Sequence, residues 1–167
     1  MSYETVYLAG GCYWGLEDLL SKMPGVVETS VGFSGGQVKN VSYREVTTGT
    51  TGHAETVKII FDADILRFID LLVFFFKIHD PTTMNQQGND IGTQYRSAIF
   101  VTTGEQILLA DELIKKIDAS GVLRNKITTE VNTFNSFFLA EENHQKYLEK
   151  YPDGYSCHFV RDINLAD

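Results

Sequence analysis

The stretch Glu4-Thr5-Val6-Tyr7-Leu8-Ala9-Gly10-Gly11-Cys12-Tyr13-Trp14-Gly15 decides how the chain is read. Its first six residues, apolar and β-branched in the main, predict a strand that stops at the glycine pair. A helix follows from Trp14 to Met23 and ends at Pro24-Gly25. Cys12 therefore stands between a strand and the first turn of a helix. Unpaired N–H groups and a partial positive charge at that turn favour thiolate over thiol, and the thiolate is the nucleophile. The glycines allow another molecule close to the backbone. Tyr13 and Trp14 put an apolar wall beside the sulfur.

Outward from this stretch, Val26 to Phe33 alternates and ends at Gly35-Gly36, and Glu55 to Phe61 is β-branched; both read as strands. Ile65 to His79 reads as an apolar helix closed by Asp80-Pro81. Residues 82–94 are polar and rich in Gly and Asn, hence a loop, and Tyr95 to Thr102 reads as a strand. Thr103 caps a helix running to about Ala119, with Gly121 beyond it; Ile107, Leu108, Ala110, Leu113, Ile114 and Ile117 keep helical spacing. Ile127 to Asn135 favours strand, Ala140 to Lys150 a short helix, and residues 151–167 a coil tail. One sheet with helices packed on it satisfies this order, which gives an α+β class and a single domain over residues 1–167.

Composition excludes several functions. Formal net charge is −8 and no Lys/Arg run builds a basic stripe, so nucleic acid is not an expected partner. The most apolar segment is broken by Arg67 and Asp70 and is too short for a bilayer, and the N-terminus has no basic-then-apolar leader. No membrane association is expected. Two cysteines, 145 positions apart, are too few for a disulfide scaffold. In a reducing compartment such as the cytoplasm, the expected location, a surviving disulfide is usually catalytic. No C-x-x-C or H-x-x-x-H spacing points to zinc, and no phosphate-binding glycine loop is present.

Beyond Cys12, chemistry gathers at three places. Glu55 begins an apolar strand after Gly49-Thr50-Thr51-Gly52-His53-Ala54. Buried near a thiol, its carboxyl would hold a proton and serve as an acid. His53 is a candidate base or a structural histidine. The loop from Met84 to Arg96 offers hydrogen-bonding groups at nearly every step, among them Asp90 and, at its end, Tyr95; Tyr43 is a second candidate phenol donor. Tyr155-Ser156-Cys157-His158 puts a second thiol on the tail, suited to travel to a partner, with His158 beside it. These residues alone leave open a thiol oxidoreductase, one acting on peroxide among them, or a module that binds apolar peptides through Tyr13 and Trp14.

Taken together, the segments resemble the peptide methionine sulfoxide reductase A family. The family's Gly-Cys-Phe-Trp-Gly stands here as Gly11-Cys12-Tyr13-Trp14-Gly15, with Tyr for the usual Phe. Gly52-His53-Ala54-Glu55, Gln87-Gly88-Asn89-Asp90 with Gln94-Tyr95-Arg96-Ser97, and Asn143-His144-Gln145-Lys146-Tyr147 follow in family order. The resemblance implies a two-layer α/β sandwich with a mixed sheet and a ferredoxin-like, split βαβ core. It implies reduction of methionine (S)-sulfoxide, free or in proteins, without metal or other cofactor. By resemblance Cys12 is the nucleophile and Glu55 the acid; Tyr43 and Tyr95 bind the sulfoxide oxygen; Tyr13 and Trp14 line the methyl pocket. Asp90 contacts the substrate backbone, and His144 supports the site. Many relatives carry two tail cysteines. The single Cys157 here implies a direct Cys12–Cys157 disulfide, reduced by thioredoxin or another dithiol.

Overall fold

The computed structural model describes residues 2–156 and 158–165. Strand β1 (Tyr3–Ala9) leads through Gly10-Gly11 into helix α1 (Tyr13–Ser21), and β2 (Val26–Ser34) follows. A four-residue helix, α2 (Tyr43–Val46), precedes β3 (Ala54–Asp62) and α3 (Phe68–Lys77). A small hairpin of β4 (Gln86–Gln87) and β5 (Asp90–Ile91) leads to a 3-10 turn at Thr93–Tyr95 and then to β6 (Ala98–Val101). Helix α4 (Gly104–Ser120), strands β7 (Glu130–Thr133) and β8 (Phe137–Leu139) and a short helix α5 (Tyr147–Lys150) complete the order. The class is α+β with a mixed sheet: the six strands run β7-β6-β1-β3-β2-β8, with β6 and β7 parallel and the other pairs antiparallel. No helix among the described residues is long and apolar enough to cross a membrane.

Period-two patterning decides which face of the sheet is covered. Val6 lies opposite Ile59, Leu8 opposite both Val57 and Ile99, and Val31 opposite Val57, so these side chains share one face. They join one buried cluster with Leu16 and Leu20 of α1, Leu71, Leu72, Phe75 and Phe76 of α3, and Ala110, Leu113 and Ile117 of α4. On the opposite face, Tyr7, Ala9, Ala54, Ala98 and Phe100 form a smaller cluster under Phe134 and Phe137. The antiparallel register brings the end of β1, the end of β2 and the start of β3 to one rim: Ala9 faces Thr56, and Phe33 faces Glu55.

Three local expectations change. The helix expected over 140–150 is broken at Lys146, which takes a left-handed conformation with φ 53°; a 3-10 turn at Glu142–His144 and α5 replace it. The strand expected from Tyr95 starts at Ala98, because Gly92, at φ 144°, turns the chain into the 3-10 turn that ends at Tyr95. Helix α2 falls in a stretch that carried no helix in the sequence reading. Its cause is a capping box: Ser42 Oγ accepts from Glu45 N, and Glu45 Oε1 accepts from Ser42 N.

Candidate active site

Cys12 is the N-cap of α1, extended in conformation, and its side chain makes no capping hydrogen bond. The sulfur is largely buried, with the residue 7% exposed, at the electropositive end of a nine-residue helix. Gly11, at φ 90°, makes the turn from strand to helix. A side chain there would collide with Gln87, whose Cγ stands 2.6 Å from where a Cβ would sit. Gln87 is held by Asp80, accepting from its N–H at 2.6 Å and donating to its carbonyl at 2.8 Å.

Glu55 lies one step into β3, on the helix-covered face, and is 1% exposed. Its Oε1 accepts from the N–H of Tyr13, the residue after Cys12, at 3.1 Å. Its Oε2 has no hydrogen-bond partner among the described residues. Burial pushes this carboxyl up to about 8; the Tyr13 N–H opposes the shift and the charge of Asp90 adds to it. At neutral pH Glu55 is therefore mostly protonated.

Two tyrosines face this pair. Tyr43 opens α2, and Tyr95 closes the 3-10 turn before β6. Both are half-buried. Burial raises the Tyr43 phenol to about 12 and raises Tyr95 further, with the charges of Glu55, Cys12 and Asp90 adding in each case. Tyr13 is raised first by burial, then by Glu55, Tyr43 and Cys12. These mutual fields place Cys12, Tyr13, Tyr43, Glu55, Tyr95 and Asp90 in one electrostatic neighbourhood, with every phenol neutral.

An aromatic wall adjoins Tyr43. Trp14 stacks on Tyr147 with ring centroids 3.8 Å apart and planes 10° apart. Its indole N–H donates to His144 Nδ1 at 3.0 Å. His144 in turn packs against Tyr43, with centroids 4.4 Å apart, and burial holds it below the usual histidine range. Tyr13 is fully buried against Phe33, and its hydroxyl finds no hydrogen-bond partner among the described residues.

Asp90, on β5, accepts from the Tyr155 hydroxyl at 3.1 Å. His158 Nε2 donates to the Gly10 carbonyl at 2.6 Å. A Cβ on Gly15 would lie 2.6 Å from His158 Nδ1 and would run into Ser156 Oγ. The tail thus crosses the first turn of α1. Cys157 itself lies outside the described residues.

Of the nine residues that the family resemblance implies, Tyr13, Tyr43 and Tyr95 lie within the field of Cys12, Glu55 bonds Tyr13 and feels Asp90, and Trp14 and His144 join through the Tyr43 ring; Cys157 lies outside the described residues. His53 is structural: its Nδ1 accepts from Gly36 N at 3.1 Å and its Nε2 donates to the Val38 carbonyl at 2.6 Å, which leaves no ring nitrogen for chemistry. Three contributors were missed by sequence reasoning. Tyr147 is one, with only its place after His144 in the sequence to mark it. His79 packs its ring beneath Gly10, donating to the Phe75 carbonyl and bonding Ser97, and burial holds it down at about 3. Glu17, a buried carboxylate on α1, gave no signal beyond its position on the helix.

The family model described as peptide methionine sulfoxide reductase matches residues 4–166. The peptide methionine sulfoxide reductase MsrA 1 of Mesorhizobium japonicum is 52% identical over 160 residues, covering 96% of this chain and 91% of that protein. Mxr1 from Saccharomyces cerevisiae in reduced form superposes with a TM-score of 0.88 at 37% identity, over 96% of this chain and 93% of that one. The crystal structure of Mxr1 in complex with Trx2 superposes with a TM-score of 0.63 at 23% identity, over 96% of this chain and 91% of that one. Such identity, sustained over nearly the whole chain, makes this protein a member of the peptide methionine sulfoxide reductase family.

Proposed function

We propose that this enzyme reduces methionine sulfoxide through attack of the Cys12 thiolate on the sulfoxide sulfur, with Glu55 as the proton donor. The observation that carries this reading is the state of Glu55: buried, protonated at neutral pH, bonded to the residue after the thiol, and with one oxygen unpartnered. A sulfoxide oxygen leaves poorly until it is protonated, so the site needs an anionic sulfur and a neutral acid at one pH. The helix end supplies the first and burial the second. Tyr43 and Tyr95 donate hydrogen bonds to the oxygen as neutral phenols, and Tyr13 and Trp14 receive the S-methyl group. Asp90 contacts the backbone of a peptide substrate, and His144 holds Trp14.

In the first step the oxygen and the proton from Glu55 pass to Cys12. The substrate sulfur gains two electrons and leaves as methionine, while Cys12 becomes a sulfenic acid. Cys157 then condenses with it, releasing water and forming the Cys12–Cys157 disulfide. A dithiol protein reduces that disulfide by exchange and is itself oxidised. Thioredoxin is the dithiol we assign, supported by the complex of Mxr1 with Trx2. No metal or prosthetic group enters the scheme. Sparse cysteine usage suits a reducing compartment, and we place the enzyme in the cytoplasm. The S epimer is the substrate we assign, by family. The order β6-β1-β3-β2, with α1 and α3 packed on one face, supports a ferredoxin-like core within a single catalytic domain.

Free-thiol titration tests the scheme. One equivalent of methionine sulfoxide should remove both thiols of the wild type and release one methionine. Cys12→Ser should release none. Cys157→Ser should stop after about one methionine per enzyme with thioredoxin as donor, and should turn over slowly with a small thiol. A Cys12→Ser enzyme that still turned over would refute the assignment of the nucleophile.

A further inference from the structure

Glu17 sits on α1, one turn after Trp14, and is 2% exposed. Its Oε1 accepts from the backbone N–H of Lys146 at 2.8 Å. Its Oε2 accepts from Thr29 Oγ1 at 2.9 Å and meets Lys146 Nζ at 3.4 Å. The Lys146 ammonium also donates to the Thr29 carbonyl at 2.8 Å and to its hydroxyl at 2.9 Å. Lys146 is the residue held at φ 53°, a conformation that residues with a side chain rarely adopt. Next to it, Gln145 bridges β2, accepting from Val31 N and donating to the Val31 carbonyl, both at 2.8 Å.

This left-handed residue separates the two rings that hold Trp14. His144 precedes it and takes the indole N–H; Tyr147 follows it and covers the indole face. A continuous helix through 146 would not leave the two rings so disposed. Burying a carboxylate costs desolvation that an apolar residue would avoid, so an ion pair here is poorly explained as a source of stability alone. What it supplies is a fixed backbone geometry at one residue.

We propose that Glu17 is a positioning residue for the substrate pocket: it clamps Lys146 in its left-handed turn and so locks Trp14 between His144 and Tyr147. The inference rests on the reading of Trp14 as a wall of the methyl pocket. The clamp also fixes where the indole N–H goes. Bound to His144, it is withheld from the sulfoxide oxygen, which is left to Glu55, Tyr43 and Tyr95.

Trp14 is the chain's single tryptophan, so its fluorescence reports the clamp without reference to activity. Trp14→Phe should raise KM for a methionine sulfoxide substrate about tenfold; an unchanged KM would remove the pocket wall, and the inference with it. Given that rise, Glu17→Ala and Glu17→Asp should each raise KM about tenfold with kcat within about threefold, the range for losing a charge-assisted hydrogen bond. In both, Trp14 emission should shift to the red and become more accessible to acrylamide. Glu17→Gln keeps an acceptor for the Lys146 N–H and should return both readouts to within about threefold of wild type. A merely structural role would lower the stability of the Asp and Gln variants without separating their KM values or emission. Wild-type KM and emission in Glu17→Asp would overturn the inference even if Glu17→Ala does not fold.

Discussion

Glu55 and Glu17 are both buried, and each accepts a hydrogen bond from a backbone N–H, yet the molecule treats them in opposite ways. Glu17 has a hydroxyl, an ammonium and an amide arranged around its two oxygens. Glu55 has the Tyr13 amide on one oxygen and no described partner on the other. The first arrangement meets both oxygens with donors and fixes a backbone; the second disfavours the anion and keeps a proton available. Burial alone does not decide what a carboxylate does: the count of donors aimed at it does.

That contrast is most exposed to refutation at Glu55. Glu55→Gln should slow formation of the Cys12 sulfenic acid by about 10²–10⁴-fold, the range for a lost general acid. The wild-type rate of this step should fall as pH rises through about 8, where Glu55 releases its proton, and the variant should lose that falling limb. Rapid-quench measurement of methionine release across pH 6–10 checks both, and an unchanged rate would take Glu55 out of the acid role.

The next effect is on stability. The Glu55 carboxyl goes from 4.5 in its ordinary state to about 8 in the fold. Between those values the folded chain keeps a proton that the unfolded chain has released. The contribution of Glu55 to stability is therefore intact near pH 4, declines as pH rises through this window, and reaches its full penalty above pH 8. Glu55→Gln should be more stable than wild type by on the order of 5 kcal/mol at pH 9, for a rise from 4.5 to about 8 at about 1.4 kcal/mol per unit, and near equal to it at pH 4. Urea unfolding across that range gives the difference; a gap independent of pH would contradict the assigned protonation. The smallest effect belongs to the fully partnered carboxylate. Thr29→Val removes one of several bonds around Glu17 and should cost roughly 1–2 kcal/mol of stability, with KM changed by no more than about threefold.

Much of the reactive side was legible in the sequence because it rests on local chemistry. A strand, two glycines and a helix start put Cys12 at a helix end, and a Gly-rich turn into an apolar strand marked Glu55. The clamp was not legible. Glu17 and Lys146 stand 129 positions apart, and nothing local to Lys146 foretells a left-handed turn in a residue with a long side chain. The same long-range bonds explain why the helix expected over 140–150 breaks: the Gln145 side chain bonds β2, and the Lys146 N–H goes to Glu17 of α1 instead of a carbonyl of the preceding turn. Helix α2 had a readable signature in Ser42 and Glu45, but four residues offer too little periodicity to announce a helix. At His53 the sequence left a base and a structural histidine both open, and the backbone bonds to both ring nitrogens settle it as structural.

The tail carries one more consequence. Residues on either side of position 157 already rest on the glycines that flank Cys12: Ser156 against Gly15, and His158 on the Gly10 carbonyl. Farther on, Arg161 N–H bonds the Lys77 carbonyl and Leu165 is buried. For two thiols 145 positions apart, a search through a random coil would be slow and entropically costly. Folding has already completed that search for Ser156 and His158, which are held against the first turn of α1 as parts of an anchored strap.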